Sequence, residues 1–409
     1  MPIDPTKKRS TRITCAPHIA PFLTKEIQSL SYEIQASDRT GIQIGASLID
    51  CMKLNLTLRT AEHIYWQLAR FRCPSPQALY TQTAAFPWES LIANDSYLCV
   101  SNHVEHPKIT NSLYASRVVK DAIVDRIARH TGSRPDSGSD RSHAVIHLYW
   151  KNDHAQLSLD TSGQRLADRG YRKMPHLAPL RETLAAALLM AAGYDGSQPL
   201  VHPMCGSGTL AIEAALIATG RAPGLLRSNF GLLHTMLDVH DDWREARRIA
   251  NTQRRAVHLG PMLPIVASDH DPRAVEAAKR NAQVAGVDQL IEFVQCDFAD
   301  TPLPCGDAKE TQQNTDCADN VAGGIVVMNP EYGERMGEID ELGETYARIG
   351  DFLKQRCAGW TGQIFTGSRE LAGRIGLKAS RKIPFINAKI DCRLLRYEMW
   401  AGGREKSKG

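Results

Sequence analysis

An Asn-Pro pair with an aromatic two places on, Asn329, Pro330 and Tyr332 in the stretch VVMNPEYGER, follows the apolar run Ile325 to Met328. The Asn329 amide oxygen and the Pro330 carbonyl can accept the two protons of an exocyclic amine, while the tyrosine ring stacks on the flat base that carries it. Asparagine is no base, but little basicity is needed if the amine's proton departs after transfer begins. Taken alone, the dipeptide reads first as a surface turn. Three further signals change that reading. In HPMCGSGT, residues 202 to 209, Gly206 and Gly208 sit between a strand and a helix. Glycines there let the backbone turn tightly and approach a ligand, and a helix beginning near Thr209 presents unpaired N–H groups. The next strand candidate ends in Asp269 and the one after in Asp297. A carboxylate at the second strand end accepts hydrogen bonds from the ribose diol of a nucleotide-type cofactor, and Asp297 can take an adenine amine. Four signals that agree make the chance turn the weaker reading.

For these groups to meet, four strands must end on one edge. From Leu180 onward, strand and helix alternate: helix RETLAAALLMAAG, strand PLVHPM, helix TLAIEAALIATG, then, after a long polar excursion, strand LPIVASD. The helix that follows has Asp271 as N-cap, Pro272 at its first position and Gly286 as its stop. Strands LIEFVQCD, GGIVVMNP and TGQIFTGS come next, and PFINAKIDCRLLRYEMW closes the chain as two strands about a short turn. The pattern predicts an α/β fold with a doubly wound parallel sheet, in which ligands bind beyond the strand C-termini. The polar stretch 301–321 reads as an exposed insertion.

The first half differs. LRTAEHIYWQLARF shows helical spacing through Leu58, Ala61, Ile64, Leu68 and Phe71, and CPSP ends that helix. NSLYASRVVKDAIVDRIARH predicts a helix with Ala115, Val119, Ala122 and Ile127 inward and Arg117, Lys120, Arg126 and Arg129 wet. AVIHLYW and AQLSLD read as strands at hairpin distance, so two small α+β units are expected before the larger domain.

A chain of 409 residues, 43% hydrophobic and 23% charged, is soluble, globular and long enough for two or three domains. Its ten cysteines include no C-x-x-C pair, so no metal site is expected, and unpaired thiols fit a reducing compartment. The start lacks a secretory apolar segment and LAAALLMAAG is too short to cross a bilayer, so no membrane partner and a cytoplasmic location are expected. Net charge is +4, yet residues 107–173 hold twelve Lys/Arg against seven Asp and no Glu, a local excess of +5. Such a segment suits a phosphate backbone, as it would a solvated helix face.

With FPWESL, NSLYASRVVKDAIVD, LADRGYRKMPHLAPLRETLAAALL, HPMCGSGTLAIEAALIATGRAPGLLR, SDHDPRAVEAAKRNAQVAG and NPEYGER together, the chain resembles the THUMP-domain ribosomal RNA guanine-N2-methyltransferase L family over roughly residues 10 to 400. The resemblance implies a ferredoxin-like unit (1–70), a THUMP RNA-binding unit (71–168) and a Rossmann-like class I methyltransferase domain (169–409) that uses S-adenosylmethionine. It implies that His202, Pro203, Cys205, Gly206 and Gly208 line the cofactor turn, Asp269 holds the ribose and Asp297 meets the adenine. Asn329, Pro330 and Tyr332 would hold the target base, and Arg117, Lys120 and Arg126 the RNA.

Two positions depart from the family pattern: His202 stands where the family has Asp, and Glu331 where it has a second Pro. Losing the Asp removes an indirect anchor for the cofactor's amino group, unless His202 is a tolerated neighbour. Glu331 either reads the N1–H and N2–H edge of guanine or disturbs the turn. The implied activity is methylation of the N2 amine of a guanine in large-subunit (23S) ribosomal RNA, the base being unpaired or flipped out. Alternatives are a transfer RNA guanine-N2 or DNA adenine-N6 methyltransferase, or a non-catalytic RNA-binding or ribosome-assembly factor.

Overall fold

A computed structural model describes residues 3–107, 109, 111–174, 180–252, 264–304, 323–332 and 336–400. Its elements run β1 (Arg9–Thr14), α1 (Ala20–Ser29), β2 (Ile34–Asp38), β3 (Gly41–Ala46), α2 (Leu48–Thr57), β4 (His63–Arg72), α3 (Pro76–Ala84), β5 (Tyr97–Glu105), α4 (Ser112–Thr131), β6 (Asp136–Gly138), β7 (Ala144–Lys151) and β8 (His154–Asp160). Then come α5 (Glu182–Ala192), β9 (Leu200–Pro203), α6 (Thr209–Ala218), α7 (His240–Thr252), β10 (Ile265–Asp269), α8 (Pro272–Ala285), β11 (Ile291–Gln295), β12 (Ile325–Met328), α9 (Met336–Arg356), β13 (Thr361–Thr366), α10 (Arg369–Arg374), β14 (Arg381–Asn387) and β15 (Ile390–Glu398). The chain folds as two compact units: Met1–Ala16, Leu23–Arg169 and Ala222–Gln253 form one, and Pro17–Phe22, Gly170–Arg221 and Arg254–Gly409 the other.

The first unit holds one eight-stranded sheet in the order β2-β3-β1-β4-β8-β7-β5-β6. The two N-terminal α+β units are thus joined through the antiparallel pairing of β4 with β8, in which Trp66 faces Leu159. Trp66, Trp88 and Trp150 are fully buried, and their indole N–H groups donate to the carbonyls of Ala46, Thr83 and Cys73 at 2.7–3.1 Å. Ser47 and Asp50 close a reciprocal cap at the start of α2. In α4, Ala115, Val119, Ala122 and Ile127 face the core, as their spacing predicts.

The predicted helix over 58–71 is instead strand β4. Ile64 and Leu68, four apart, share a face in either a helix or a strand, so they cannot decide between the two. Trp66 does: with Ile64 and Leu68 it completes a buried alternation against half-buried Tyr65 and Gln67, a period of two that only a strand accommodates. CPSP then starts α3 rather than ending a helix, with Ser75 as its N-cap and Pro76 at its first position.

Residues 222–253, a polar excursion in the sequence reading, fold with the first unit. The buried Arg227 guanidinium donates to the carbonyls of Ser162, Gln164, Arg165 and Asn229, and lies over the Phe230 ring. Phe230 in turn meets Trp243 of α7 edge-on. The long run of charge in α7 hides a single buried stripe, Trp243 and Ala250.

The second unit carries a seven-stranded sheet, β11-β10-β9-β12-β13-β15-β14. Its first five members are parallel and β15 runs against β13 and β14. Every residue of β9, β10 and β12 is buried, as parallel strands covered on both faces require. On one face Val201, Val266, Val326, Met328 and Ile364 pack against Tyr346, Ile349, Phe352 and Leu353 of α9 and Leu371 of α10. The order reverses between β9 and β12, the place where open α/β sheets bind ligands. Helix α8 has the Asp271 cap, Pro272 start and left-handed Gly286 stop that the sequence predicts. The 301–321 insertion falls almost wholly outside the described residues. Among the described residues, no helix is long and apolar enough to cross a membrane, no cluster of His, Cys, Asp and Glu could hold a metal ion, and the eight cysteines are unpaired.

Candidate active site

The turn after β9 is built for close backbone approach. Met204, Gly206 and Gly208 are all left-handed, with φ of 57°, 52° and 82°. Gly208 is obligatory for packing, since a Cβ there would lie 2.8 Å from Ala278 Cβ on α8. Around Gly206 the space is open, with nothing within 4 Å of the Cβ it lacks. A left-handed non-glycine residue such as Met204 costs about 1–2 kcal/mol, strain of the kind that gathers at binding turns.

Asp269, buried at the end of β10, pins this turn. One carboxylate oxygen accepts the Gly206 N–H at 2.9 Å and the other the Asp271 N–H at 3.0 Å. Each oxygen keeps a further lone pair. The backbone carries the same connection, as Cys205 N–H donates to the Ser268 carbonyl and Cys296 N–H to that of Asp269. Cys205 is buried, which pushes its thiol pKa up and keeps it protonated.

Asp297, two residues past β11, is half exposed. Burial works to raise its pKa, but Arg348 at 2.7 Å and the Ala299 N–H at 2.9 Å prevail and hold the carboxyl below its ordinary value. Both donors use the same oxygen, Oδ1.

His202 lies in β9 beside Ala267 of β10. The β9–β12 ladder pairs Leu200 with Ile325 and Val201 with Val326. One residue further the imidazole continues it, with Nδ1 2.8 Å from the Val327 carbonyl. A carbonyl only accepts, so Nδ1 carries the proton. Burial pushes the His202 pKa down to about 4, against the opposing pull of the Val327 carbonyl and Asp269. His202 is therefore neutral in the fold while it titrates near 6.5 in the unfolded chain. As pH falls from 6.5 toward 4, the unfolded state takes up the proton first and stability is lost; above 6.5 the group contributes no slope. His202→Asn keeps a donor for Val327 without the titration. We expect wild type to lose about 2 kcal/mol more than this variant between pH 7 and pH 5, read from urea midpoints.

At the end of β12 the Asn329 side-chain oxygen is buried and has no hydrogen-bond partner among the described residues. Pro330 is buried, Glu331 exposed and Tyr332 half-buried. The Tyr332 hydroxyl accepts from Asn387 Nδ2 at 2.8 Å, and its ring meets Phe365 edge-on. Burial raises its pKa to about 12, so the phenol stays protonated.

The structure thus brings the 202–209 turn, Asp269, Asp297 and Asn329 to the C-terminal ends of four adjacent strands, β9, β10, β11 and β12. It adds residues that the sequence reading did not single out. Asn281, in the interior of α8, is wholly buried: its oxygen accepts the N–H groups of Lys173 and Met174, and its amide donates to the carbonyls of Met174 and Ser207. Arg172 reaches Glu182, the Leu180 carbonyl and Ser207 Oγ. The segment 171–174 is thereby clamped to the glycine turn. Arg348 and Asn387 orient Asp297 and Tyr332. An asparagine in the middle of a well-formed helix is the one available signal, because its side chain competes with the helix backbone unless it has another task.

The RNA candidates lie on α4 in the first unit. Arg117 is exposed and has no ion-pair partner among the described residues. Lys120 pairs with Asp121 at 2.8 Å. Arg126 forms a two-pronged pair with Glu89, whose carboxyl it holds down to about 2.

Three family models match the chain: RlmL ferredoxin-like domain over residues 12–65, THUMP domain over 74–160, and RMKL-like, methyltransferase domain over 169–396. Ribosomal RNA large subunit methyltransferase K/L of Syntrophotalea carbinolica is 37% identical over 388 residues, covering 93% of this chain and 52% of that protein. The chain spans about half the length of the curated relatives it matches. Among solved structures, a predicted N6-adenine-specific DNA methylase from Listeria monocytogenes is 28% identical with a TM-score of 0.81, covering 96% of this chain and 97% of that one. SMU.472, crystallised in complex with SAH, shares the fold at 24% identity and a TM-score of 0.81, covering 97% and 100%. With more than half of its length matched by the methyltransferase-domain model on a sheet of this topology, the chain belongs to the RMKL-like methyltransferase-domain family.

Proposed function

We propose that the chain is an S-adenosylmethionine-dependent RNA methyltransferase acting in the cytoplasm on the N2 amine of a guanine in large-subunit ribosomal RNA. The observation that carries this reading is the buried, unpartnered Asn329 oxygen at a strand end next to an open glycine turn. An acceptor left unsatisfied in the folded chain costs about 1–3 kcal/mol, and an amine proton placed there recovers it. The residues also suit the cofactor. The Gly206 turn admits close approach, the remaining lone pairs of Asp269 can accept ribose hydroxyls, and Asp297 Oδ2 is left over for the adenine amine. His202 cannot supply the carboxylate of the family pattern; neutral and hydrogen-bonded to Val327, it ties β9 to β12 instead. When bound, S-adenosylmethionine supplies a methyl group made electrophilic by its sulfonium.

On the chain's side, Asn329 and the Pro330 carbonyl accept the two amine protons and leave the nitrogen lone pair available. Tyr332 stacks on the base and stays uncharged at neutral pH. Most of the rate gain is positional. Glu331, exposed beside Asn329, can accept from the N1–H edge of guanine.

Incubating the chain with deproteinised 23S RNA and labelled donor, then separating nucleosides by mass spectrometry, tests the reading. N2-methylguanosine is the expected product. N6-methyladenosine would favour the amine of adenine, which the same turn can hold, and no transfer to RNA would overturn the proposal.

Arg117, Lys120 and Arg126 would contact phosphates. Because Glu89 already neutralises Arg126, Arg117→Ala is expected to weaken RNA binding more than Arg126→Ala. The Arg117 variant should also lower the slope of log affinity against log salt by about 1, measured by filter binding across a salt series.

A further inference from the structure

We propose that Asn387, in the hairpin between β14 and β15, is a positioning residue that sets the angle of the Tyr332 ring and so the plane in which the target base stacks. This rests on the methyltransferase reading above. Asn387 is distant in sequence from the catalytic turn, yet its amide donates to the Tyr332 hydroxyl at 2.8 Å, and the Cys392 thiol approaches the same oxygen at 3.8 Å. The ring is held at two further points. Phe365 of β13 meets it at 90°, and Gly367 leaves the space it occupies: a Cβ there would lie 3.0 Å from Tyr332 Cδ2 and Cε2 and 2.7 Å from Ile390 Cγ2. Phe365 and the close approach at Gly367 limit rotation of the ring about its own long axis (χ2), but the ring can still swing sideways about χ1; a hydrogen bond to the hydroxyl at its far end fixes the direction of that axis.

The donor itself is held tightly. Asn387 pairs with Ile390 at the end of the hairpin, and the loop between them is only Ala388 and Lys389. Ala388 has φ +54° at a position where two-residue hairpins normally place glycine. A strained, short loop allows one placement of the residue before it, and strain retained in this way is a feature of sites whose geometry matters. Asn387 touches neither substrate nor cofactor and acts through Tyr332 alone.

The test is a double-variant cycle on the full chain, with methyl transfer to 23S RNA followed in single turnovers and donor affinity measured by calorimetry. Asn387→Ala and Tyr332→Phe each remove one end of the bond. Each is expected to lower the transfer rate about tenfold while leaving donor affinity within about twofold. The double variant should be no slower than the slower single one, since both delete the same interaction. A merely structural role for Asn387 would instead lower donor affinity, or multiply the two losses, and either result overturns the proposal, as does an Asn387→Ala variant with the wild-type rate. Should Asn387→Ala fail to fold, Tyr332→Phe, which deletes a single oxygen, decides alone: an unchanged rate overturns the proposal. A wild-type chain that transfers no methyl group would overturn the functional reading and this proposal together, an outcome distinct from an active wild type with an indifferent variant.

Discussion

Asn329→Ala is expected to lower the single-turnover rate of RNA methylation by about 10²–10³-fold while leaving donor affinity within about twofold. The substitution removes an acceptor aimed at the reacting nitrogen, and losing one preorganised hydrogen bond at a reacting centre costs that much. Folding should suffer little, because Asn329 Oδ1 is unpartnered among the described residues and deleting it strands no donor there. Asn329→Asp retains an acceptor of the same reach and should fall between wild type and the alanine variant. An alanine variant that keeps more than a tenth of the wild-type rate would show that the amine is held elsewhere.

Asp269→Ala should act on the other partner. Both oxygens of Asp269 accept backbone N–H groups, from Gly206 and from Asp271. Hydrogen bonds to a charged group are worth about 1.5–3 kcal/mol each. Removing the carboxylate releases the glycine turn and takes away the acceptor proposed for the ribose. Donor affinity is expected to fall about 100-fold by calorimetry, and stability by about 3–6 kcal/mol in urea for the two bonds together. The two effects separate in Asp269→Asn, which can still accept from one of the two N–H groups. An alanine variant that binds the donor like wild type would remove Asp269 from the cofactor site.

How legible these groups are in the sequence depends on whether their signal is local. Helix α8 is readable from end to end because Asp271, Pro272 and Gly286 each answer a need of their own backbone position. Asn329 is readable for the same reason, as a polar residue directly after the apolar run Ile325–Met328, and Asp269 and Asp297 as acidic residues at the ends of strand-like stretches. Strand β4 is not, because Ile64 and Leu68 satisfy two periods at once and the arbiter, Trp66, carries weight only once the β4–β8 pairing exists. Residues 222–253 are illegible for a longer-range reason. Arg227 looks like a surface charge until the carbonyls of 162–165, some sixty residues earlier, converge on it. Asn281, Arg348 and Asn387 belong to this second class, since their partners are more than fifty residues away.

The attachment of 222–253 to the first unit bears on how the chain is made. A ribosome delivers residues in order and N-terminal domains generally fold as they emerge. Here a nascent chain ending at Arg169 has all eight strands of its first sheet but lacks the guanidinium that gathers the carbonyls of Ser162, Gln164 and Arg165. Closure of that unit must wait until β9 and α6, which belong to the second unit, have already left the exit tunnel. Synthesis therefore interleaves the two halves, and a pause after Gly220 would expose an unfinished first half and an unpaired start of the second at the same moment.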